Sequence, residues 1–380
     1  MMRRIVAAGV IGLVLFYSFV IAAQREIQTN ETTQFRGDVL HTAFYESESV
    51  HNEPVLLWNF PVSRPVRTTA AIANGFAYIG SENGTLYAID VQTGEGVWTF
   101  ETSSPVVSTA AVVEGVLYMG GLDRHVYALD AATGEEGWRF ETGGQVYSSP
   151  VIDGETLYIG SLDNHIYALN IADGSERWRF ETGGQVWSSP AVHDGKVYVG
   201  SRDNSLYALD KETGEIVWTF ESGGQIDASP AIRVADEGAL VYVGNQSGVF
   251  YALDSLSGDV VWQYELGAGL FASAALGETL VYVNNTEGDL YAFDAFSGEI
   301  AWQGEIGGPA YSSPSLTEDA VYWLTEQDGL LYGFDALTGE ELWRYQTGRQ
   351  GDYRSASPVI VDGVVFIASN TEGLLALTSE

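Results

Sequence analysis

The chain has 380 residues, of which 51 are Asp or Glu and 17 are Lys or Arg, so its formal net charge is −34. A surface this negative repels phosphate backbones, which argues against nucleic acid as a partner. The sequence contains no cysteine, which excludes disulfides, thiolate metal sites and a cysteine nucleophile. Its five histidines are scattered without ligand spacing, so we expect no histidine metal cluster.

The acidity extends over the whole chain, in which Lys196 and Lys211 are the two lysines. Dense carboxylates keep a protein hydrated and soluble where salt screens its other charges. We interpret this composition as that of a protein from a halophilic source. The alternative is an acidic patch that recruits cations or a basic partner, but such a patch would not require acidity throughout the chain.

The chain begins with a basic and then an apolar segment. Arg3 and Arg4 precede an uncharged run, Ile5–Ala23, which as a helix would rise about 28 Å, close to the thickness of a bilayer core. The run fits either a signal peptide cleaved near Ile21–Ala23 or an uncleaved anchor with its arginines in the cytoplasm. We favour the anchor. Either interpretation of residues 1–24 places an extracytoplasmic lead-in segment, residues 25–53, and all that follows outside the cell, anchored or secreted.

A repeat occupies the rest of the chain, residues 54–380. Tryptophans recur at intervals of 40 or 41 residues, with one interval of 44 that we assign to a longer turn in Arg233–Leu240. Self-similarity at this period indicates a repeat architecture. The recurring residues are Trp58, Trp98, Trp138, Trp178, Trp218, Trp262, Trp302 and Trp343.

Each repeat divides into four short apolar pieces separated by turn residues. In the third repeat they are Ser148–Ile152, Leu157–Ser161, Ile166–Asn170 and Gly174–Glu181. Four strands per repeat without a helix is typical of a propeller blade, and eight copies predict an all-β, eight-bladed β-propeller with four-stranded antiparallel blades. The last copy lacks its tryptophan-bearing strand, whereas Leu56–Pro61 is such a strand without a blade. We therefore expect this N-terminal strand to complete the last blade.

The stretch A-x-D-x-x-T-G-E-x-x-W, at Ala88–Trp98, resembles the tryptophan-docking motif of the PQQ-like propeller repeats. Gln34–Asp38, with His41 and Thr42, resembles the lead-in of that family. Two kinds of protein share the scaffold: quinoprotein dehydrogenases, which bind pyrroloquinoline quinone (PQQ) and calcium at the propeller axis, and BamB-like scaffolds of envelope protein assembly, which carry no cofactor. The motif recurs, in some copies with substitutions, at Ala128–Trp138, Ala168–Trp178, Ala208–Trp218, Ala252–Trp262, Ala292–Trp302 and Gly333–Trp343.

The repeated residues have structural explanations. A tryptophan on each outer strand can dock against a neighbouring blade and bury a large apolar area. The repeated aspartates are expected to accept hydrogen bonds from the turn before strand four; the alternative, calcium binding, is disfavoured because one carboxylate per blade does not converge on one ion. These aspartates are Asp90, Asp130, Asp210, Asp254, Asp294 and Asp335.

Positions that break the repeat are candidates for function. The residue two places before the recurring S-P pair should open the innermost strand at one mouth of the central channel, and Arg354 should lie nearby. Turns at residues 123–125, 163–165 and 202–204 should reach the same face. Aromatic residues with arginine favour an interface; alternatively, they plug the channel or are solvated. The mouth positions are Arg67, Val107, Tyr147, Trp187, Asp227, Phe271, Tyr311 and Ser355.

Three functions compete. The first is a non-catalytic scaffold, without cofactor or metal and monomeric, that binds another envelope or surface protein and contacts the membrane through its N-terminal segment. The second is a PQQ- and calcium-dependent dehydrogenase, in which Trp187 would stack on the quinone; the resemblance implies a disulfide as the other half of that clamp, which this cysteine-free chain lacks. The third is an extracellular ligand-binding sensor. We favour the scaffold.

Overall fold

Short strands joined by tight turns make up the regular structure. The computed structural model describes residues 26–30, 33–235, 238–305, 308–326, 328–348 and 356–379, and across these ranges it contains thirty-two strands in eight four-stranded sheets. The predicted anchor, residues 1–24, lies outside them. Among the described residues, no helix has the length and apolarity needed to cross a bilayer.

The blades are numbered by the order of their innermost strands. Blade 1 is β2–β5, blade 2 is β6–β9, and so on to blade 8, which is β30–β32 with β1. The strands of the first half are β1 (Val55–Phe60), β2 (Ala71–Ala73), β3 (Phe76–Gly80), β4 (Thr85–Asp90), β5 (Gly96–Glu101), β6 (Ala111–Val113), β7 (Val116–Gly120), β8 (His125–Asp130), β9 (Glu136–Glu141), β10 (Val151–Asp153), β11 (Thr156–Gly160), β12 (His165–Asn170), β13 (Glu176–Glu181), β14 (Ala191–His193), β15 (Lys196–Gly200), β16 (Ser205–Asp210) and β17 (Ile216–Glu221).

The second half repeats the same pattern. Its strands are β18 (Ala231–Ala235), β19 (Gly238–Gly244), β20 (Val249–Asp254), β21 (Val260–Glu265), β22 (Ala275–Leu276), β23 (Leu280–Asn284), β24 (Asp289–Asp294), β25 (Ile300–Glu305), β26 (Ser315–Leu316), β27 (Ala320–Leu324), β28 (Leu330–Asp335), β29 (Glu341–Gln346), β30 (Val359–Val361), β31 (Val364–Ser369) and β32 (Gly373–Thr378).

The eight-bladed propeller predicted from the repeat is confirmed, including its closure. Each blade is an antiparallel meander whose first strand lies innermost and contacts the first strands of both neighbouring blades. The N-terminal β1 pairs with the C-terminal β32, from Val55 opposite Thr378 to Phe60 opposite Leu374. This pairing joins the two ends of the chain within one sheet and gives β32 a partner on its outer side.

One expectation is corrected. The extra residues in Arg233–Leu240 do not form only a longer turn, because they lengthen both strands of the first hairpin in blade 5. Arg233, Val234 and Ala235 pair with Leu240, Ala239 and Gly238. The inserted residues are extended and apolar enough to continue the antiparallel ladder.

A β-bulge precedes the recurring tryptophan in every outer strand. In blade 3, Ala168 pairs with Trp178 and Leu169 with Glu176, so Arg177 is left out of the register. The same shift occurs in the other seven sheets. A bulge re-aims the following side chain, and here the tryptophan turns toward the next blade.

The tryptophans dock between blades, as predicted. The indole N–H of Trp178 donates to the carbonyl of Lys211 in blade 4 at 3.0 Å, and the hydroxyl of Tyr158 donates to the same oxygen at 3.0 Å. All eight indoles donate to an equivalent carbonyl at 2.6–3.1 Å. A Cβ on Gly214 would lie 2.6 Å from the Trp178 ring, and this glycine has φ of +72°. Glycine is therefore required where the turn meets the indole.

The interface between blades 7 and 8 obtains its acceptor from the lead-in segment. Blade 8 has no turn between strands three and four, because β1 comes from the other end of the chain. Val50 replaces that turn: its carbonyl accepts the Trp343 indole N–H at 2.6 Å, and its N–H donates to the Tyr322 hydroxyl at 2.7 Å. The side chain of Val50 is fully buried.

The repeated aspartates hold the turns, which confirms their predicted role. The Oδ1 atom of Asp254 accepts the backbone N–H groups of Leu256 and Ser257 and the hydroxyl of Ser257. These donors favour the ionised carboxylate and lower its pKa. Equivalent bonds form at Asp90, Asp130, Asp210, Asp294 and Asp335.

Replacing a docking tryptophan should destabilise the ring. We expect Trp178→Ala to lower the free energy of unfolding by about 3–5 kcal/mol, because it empties a packed interface and removes a donor to the Lys211 carbonyl. Denaturant unfolding followed by circular dichroism measures this. The control is Trp187→Ala, because Trp187 is half-buried and lies outside the interfaces between blades. This substitution should lower the free energy of unfolding by at most about 2 kcal/mol. Equal losses in the two variants would contradict the docking role.

Candidate functional site: the mouth of the central channel

A closed ring of hydroxyl groups surrounds the central channel. Each hydroxyl accepts the backbone N–H of its counterpart in the neighbouring blade at 2.9–3.1 Å, and the eighth bond returns to the first blade. Because each oxygen accepts one bond, its O–H remains a donor for water or a ligand in the channel. The ring consists of Thr69, Thr109, Ser149, Ser189, Ser229, Ser273, Ser313 and Ser357.

The predicted mouth positions lie together directly above this ring. They line one cavity of about 160 Å³ with the hydroxyls, and Phe35 of the lead-in segment lies at its other end. The structure thus brings together seven of the positions singled out from the repeat; Arg354 and Ser355 lie outside the described residues. We call these seven residues the mouth: Arg67, Val107, Tyr147, Trp187, Asp227, Phe271 and Tyr311.

One side of the mouth is a stack of aromatic and charged groups. The rings of Tyr147 and Trp187 lie 4.1 Å apart between centroids at 33°, and the Arg202 guanidinium lies 4.1 Å from the Trp187 centroid. Arg202 forms a bidentate ion pair with Asp227, at 2.8 and 2.6 Å, and Gln246 donates to the same carboxylate at 2.8 Å. The stack is therefore held in place by bonds within the chain.

The other side of the mouth is also partnered. Arg67 forms an ion pair with Glu82. Phe271 and Tyr311 lie 5.5 Å apart between ring centroids, and the backbone N–H of Tyr311 donates to Glu326 at 3.0 Å. Glu326 is buried. The mouth thus presents half-buried aromatic rings between two ion pairs.

The turns between strands two and three reach this face, as expected, but most of their residues hold loops. Asp163 accepts the Gly143 N–H at 2.6 Å and the Tyr167 hydroxyl at 2.7 Å, and Asp203 does the same with Gly183 and Tyr207. Arg202 is the member of these turns that stacks on the mouth. The acids are therefore structural, and Arg202 joins the site.

The lead-in segment closes the opposite end of the channel, which we call the floor. The floor is the face that carries the turns between strands one and two and between strands three and four. From residue 30 to residue 47 the segment bonds to every blade in turn, and Gln34 pairs with both backbone groups of Ile152. The other contacts are made by Asn30, Thr33, Val39, Leu40, Thr42, Ala43 and Ser47 with blades 1, 2, 4, 5, 6, 7 and 8, respectively.

Two basic residues of this segment are buried beneath the hydroxyl ring. Arg36 donates to the carbonyls of Ala274 and Pro314 at 2.6 and 3.1 Å, and His41 Nδ1 lies 3.1 Å from the Pro230 carbonyl. Burial lowers the pKa of Arg36 to about 10. Burial, with the nearby Arg36 charge, lowers the pKa of His41 to about 3, so its imidazole is neutral at ordinary pH.

The mouth combines several kinds of polar and aromatic group. Aromatic faces, hydroxyl donors and two ion pairs converge there, while the carboxylate of Asp227 is already bonded to Arg202 and Gln246. Throughout the part of the chain that the structure describes, no three His, Asp or Glu side chains are grouped so that they could hold a metal ion.

A protein-family model described as outer membrane protein assembly factor BamB matches residues 55–148, 122–274 and 265–380. These matches span the whole propeller. The chain belongs to the BamB-like, PQQ-like propeller family. No curated protein is significantly similar to the chain in sequence.

Solved structures share the fold of this BamB-like propeller at low sequence identity. BamB from Moraxella catarrhalis has a TM-score of 0.72 at 20% identity, covering 85% of this chain and 99% of that one. A quinohemoprotein alcohol dehydrogenase from Comamonas testosteroni has a TM-score of 0.78 at 17% identity, covering 92% and 80%. The computationally designed protein Ika8 has a TM-score of 0.72 at 15%, covering 87% and 100%. At such identities the similarity shows the fold alone.

Several residues of the site in this BamB-like propeller were missed from the sequence. The hydroxyl ring had a signal, since Ser or Thr occupies the first position of the recurring S-P pair in all eight copies. Gln246 and Glu326 occupy the same place in their turns as Arg202, so the period of the repeat indicated their position, although only the turns at residues 123–125, 163–165 and 202–204 were singled out. Phe35 and the order in which the lead-in segment contacts the blades had no local signal.

The buried histidine predicts a pH dependence of stability. Because the pKa of His41 is lower in the folded chain than its ordinary value, the unfolded chain takes up a proton below about pH 6.5 that the folded chain does not. The contribution of His41 to the free energy of unfolding is therefore fully present above about pH 6.5 and is lost as the pH falls below that value. Between pH 8 and 5 the free energy of unfolding should fall by about 2 kcal/mol from His41 alone.

Urea unfolding at fixed ionic strength measures this slope. His41→Gln keeps a group able to bond to the Pro230 carbonyl and should remove about 2 kcal/mol of the pH dependence. The control is His193→Gln, at the solvent-accessible end of β14, which should leave the slope unchanged. If His41→Gln retained the slope of the unsubstituted protein, the histidine would not be buried in its neutral form.

Proposed function

We propose that this BamB-like propeller is a non-catalytic scaffold, exported or membrane-anchored, that binds another envelope or surface protein through the mouth. The observation that carries the proposal is the convergence of aromatic and charged side chains from six repeats on one cavity whose other end is closed by the chain's own lead-in segment. In this proposal the propeller acts as a monomer and does not bind nucleic acid.

The composition of the mouth supports a protein partner. Tyrosine, tryptophan and arginine are the residues that most often dominate binding energy at interfaces. Tyr147, Trp187 and Arg202 are stacked on one another, and Arg202 is fixed by Asp227. Side chains that are ordered before binding lose less conformational entropy when a partner docks. The half-buried rings therefore offer a pre-organised contact surface.

The charges at the mouth support a role in binding over catalysis. A general base needs a carboxylate or imidazole within reach of a substrate, but Asp227 accepts three bonds from its own chain, and Arg67 is paired with Glu82. Using either group on a substrate would require breaking these contacts.

A second candidate is a quinone-dependent dehydrogenase, favoured by an axial cavity next to a tryptophan and by the fold shared with a quinohemoprotein alcohol dehydrogenase. Two observations weigh against it. The Trp187 indole already stacks with Tyr147 and Arg202, so a planar quinone would have to displace one of them. The cavity, at about 160 Å³, is also smaller than the roughly 300–1,000 Å³ of most small-molecule sites.

We also propose that the propeller works outside the cytoplasm, in a saline medium. The support is the apolar run Ile5–Ala23 after Arg3 and Arg4 and the net charge of −34. Screening by salt reduces the mutual repulsion of these charges.

Partner binding can be tested by photocrosslinking in native cells. With a benzophenone amino acid at Phe271, the full chain should crosslink to one discrete envelope protein. The combined variant Arg67→Ala, Tyr147→Ala and Trp187→Ala should reduce that crosslink at least about tenfold, since such residues are commonly worth more than about 1–2 kcal/mol each.

The matched control places three alanines on exposed outer-strand positions, Val97, Val217 and Val261, and should leave the crosslink unchanged. Circular dichroism of both variants checks that the propeller is folded. A crosslink that survives the mouth substitutions but is lost from the control would move the site to the perimeter.

The dehydrogenase candidate is tested by titrating the full chain in detergent and molar salt with PQQ, with and without calcium, while following tryptophan fluorescence. The scaffold proposal expects no saturable, calcium-dependent quenching, because Trp187 is occupied by Tyr147 and Arg202. Saturation near one equivalent that is lost in Trp187→Phe would reject the scaffold proposal in favour of a quinoprotein.

A further inference from the structure

Three consecutive blades carry large apolar side chains at the tips of their floor-face turns. Leu256, Phe296 and Leu337 occupy the same position in blades 5, 6 and 7, and 61, 50 and 70% of their surfaces are exposed. The equivalent tips in blades 1 to 4 are Gln92, Ala132, Ala172 and Glu212. Exposed apolar side chains clustered on a very acidic surface usually mark an interaction site.

The fold does not require apolar residues at these tips. The backbone N–H of Leu256, Phe296 and Leu337 donates to the aspartate two residues earlier. Gln92 and Glu212 make the same bond, so the turn forms equally well with a polar side chain. The turn therefore does not account for the apolar side chains, of which Phe296 also lies 5.4 Å from the Arg233 guanidinium, measured to the ring centroid.

The chain emerges on this same face. The carbonyl of Ile27 accepts from Gln92 at the floor-face tip of blade 1, Thr29 accepts from Gly75, and the backbone N–H of Gln28 donates to Asp362 in blade 8. Ile27 and Gln28 therefore lie on the floor between blades 8 and 1. Their position and the three apolar tips together follow one arc, from blade 5 through blade 8 to blade 1.

We propose that this arc of the floor rests on a lipid bilayer, with Leu256, Phe296 and Leu337 inserted in its interfacial layer. The apolar run Ile5–Ala23 is long enough to span the hydrocarbon core, and few residues separate it from Glu26 on the floor. That short connection keeps the floor close to the membrane surface. Apolar side chains at such a surface lie in the boundary between headgroups and acyl chains.

The shape of the surface favours lipid over a protein partner. The three side chains project from separate turns of successive blades, and the groove that Phe296 borders in blade 5 is lined by neither Leu256 nor Leu337. Separate projecting points suit a fluid surface that can close around each of them, whereas a protein partner needs a complementary shape. The mouth lies on the opposite face, so this orientation directs it away from the bilayer.

Acidic residues beside the tips determine how contact with the membrane should depend on salt. Asp259, Glu299 and Glu340 follow the three tips within three residues and are exposed. They repel anionic headgroups, so contact should be strongest with zwitterionic lipids and should increase with salt. A basic lipid-binding surface would behave in the opposite way.

The absence of cysteine from the sequence allows a direct test in the full chain. Single substitutions Leu256→Cys, Phe296→Cys and Leu337→Cys are each labelled with an environment-sensitive dye and reconstituted in phosphatidylcholine vesicles at molar salt. Brominated acyl chains should quench the dye at these three positions at least about twofold more than at controls. The controls are Ala132→Cys and Ala172→Cys at opposite tips of the floor and Val107→Cys at the mouth.

Two results would overturn the proposal. Quenching at the three tips no greater than at the controls would place the arc away from the bilayer. Shielding of the three dyes from aqueous iodide in detergent solution, with no quenching by brominated lipid, would assign the tips to a protein contact or to a second copy of the chain.

Discussion

The contact between an indole and a carbonyl of the next blade is the interaction on which the ring depends. A blade buries little by itself, and the bulge before each tryptophan turns the indole into its neighbour. The Lys211 carbonyl shows the arrangement, since it accepts both Trp178 and Tyr158 from the preceding blade. A buried indole or hydroxyl that loses this acceptor would have no hydrogen-bond partner. Because the bond forms only when the neighbouring blade is correctly placed, each interface fixes the distance and angle of the next blade.

A ring built from such pairs must close, and three devices close it. β1 pairs with β32, the hydroxyl ring returns from Ser357 to Thr69, and Val50 supplies the acceptor that blade 8 does not have. The lead-in segment is therefore part of the propeller's structure as well as a connection to the N terminus. The same segment also buries Arg36 and His41 beneath the hydroxyl ring.

Because the interfaces carry the stability, residues at the two faces are free to differ between repeats. The mouth uses this freedom to collect rings and ion pairs from separate blades, as with Tyr147 and Trp187. On the floor, three of the seven turn tips carry large apolar side chains and the other four are small or polar. The proposed functions follow this division, with a protein partner at the mouth and lipid at Leu256, Phe296 and Leu337 of the floor.

The sequence by itself determined the number of blades, the four strands of each, the closing strand, the docking tryptophans and the positions around the mouth. These features are periodic, and in a repeat the same residue has the same surroundings in every copy. Tertiary structure alone decided that Arg202 joins Trp187, that Val50 replaces a missing turn and that Phe35 closes the channel. Val50 and Phe35 lie outside the repeat, and Arg202 and Trp187 differ from the residues at the same positions of the other copies, so no period relates these partners to one another.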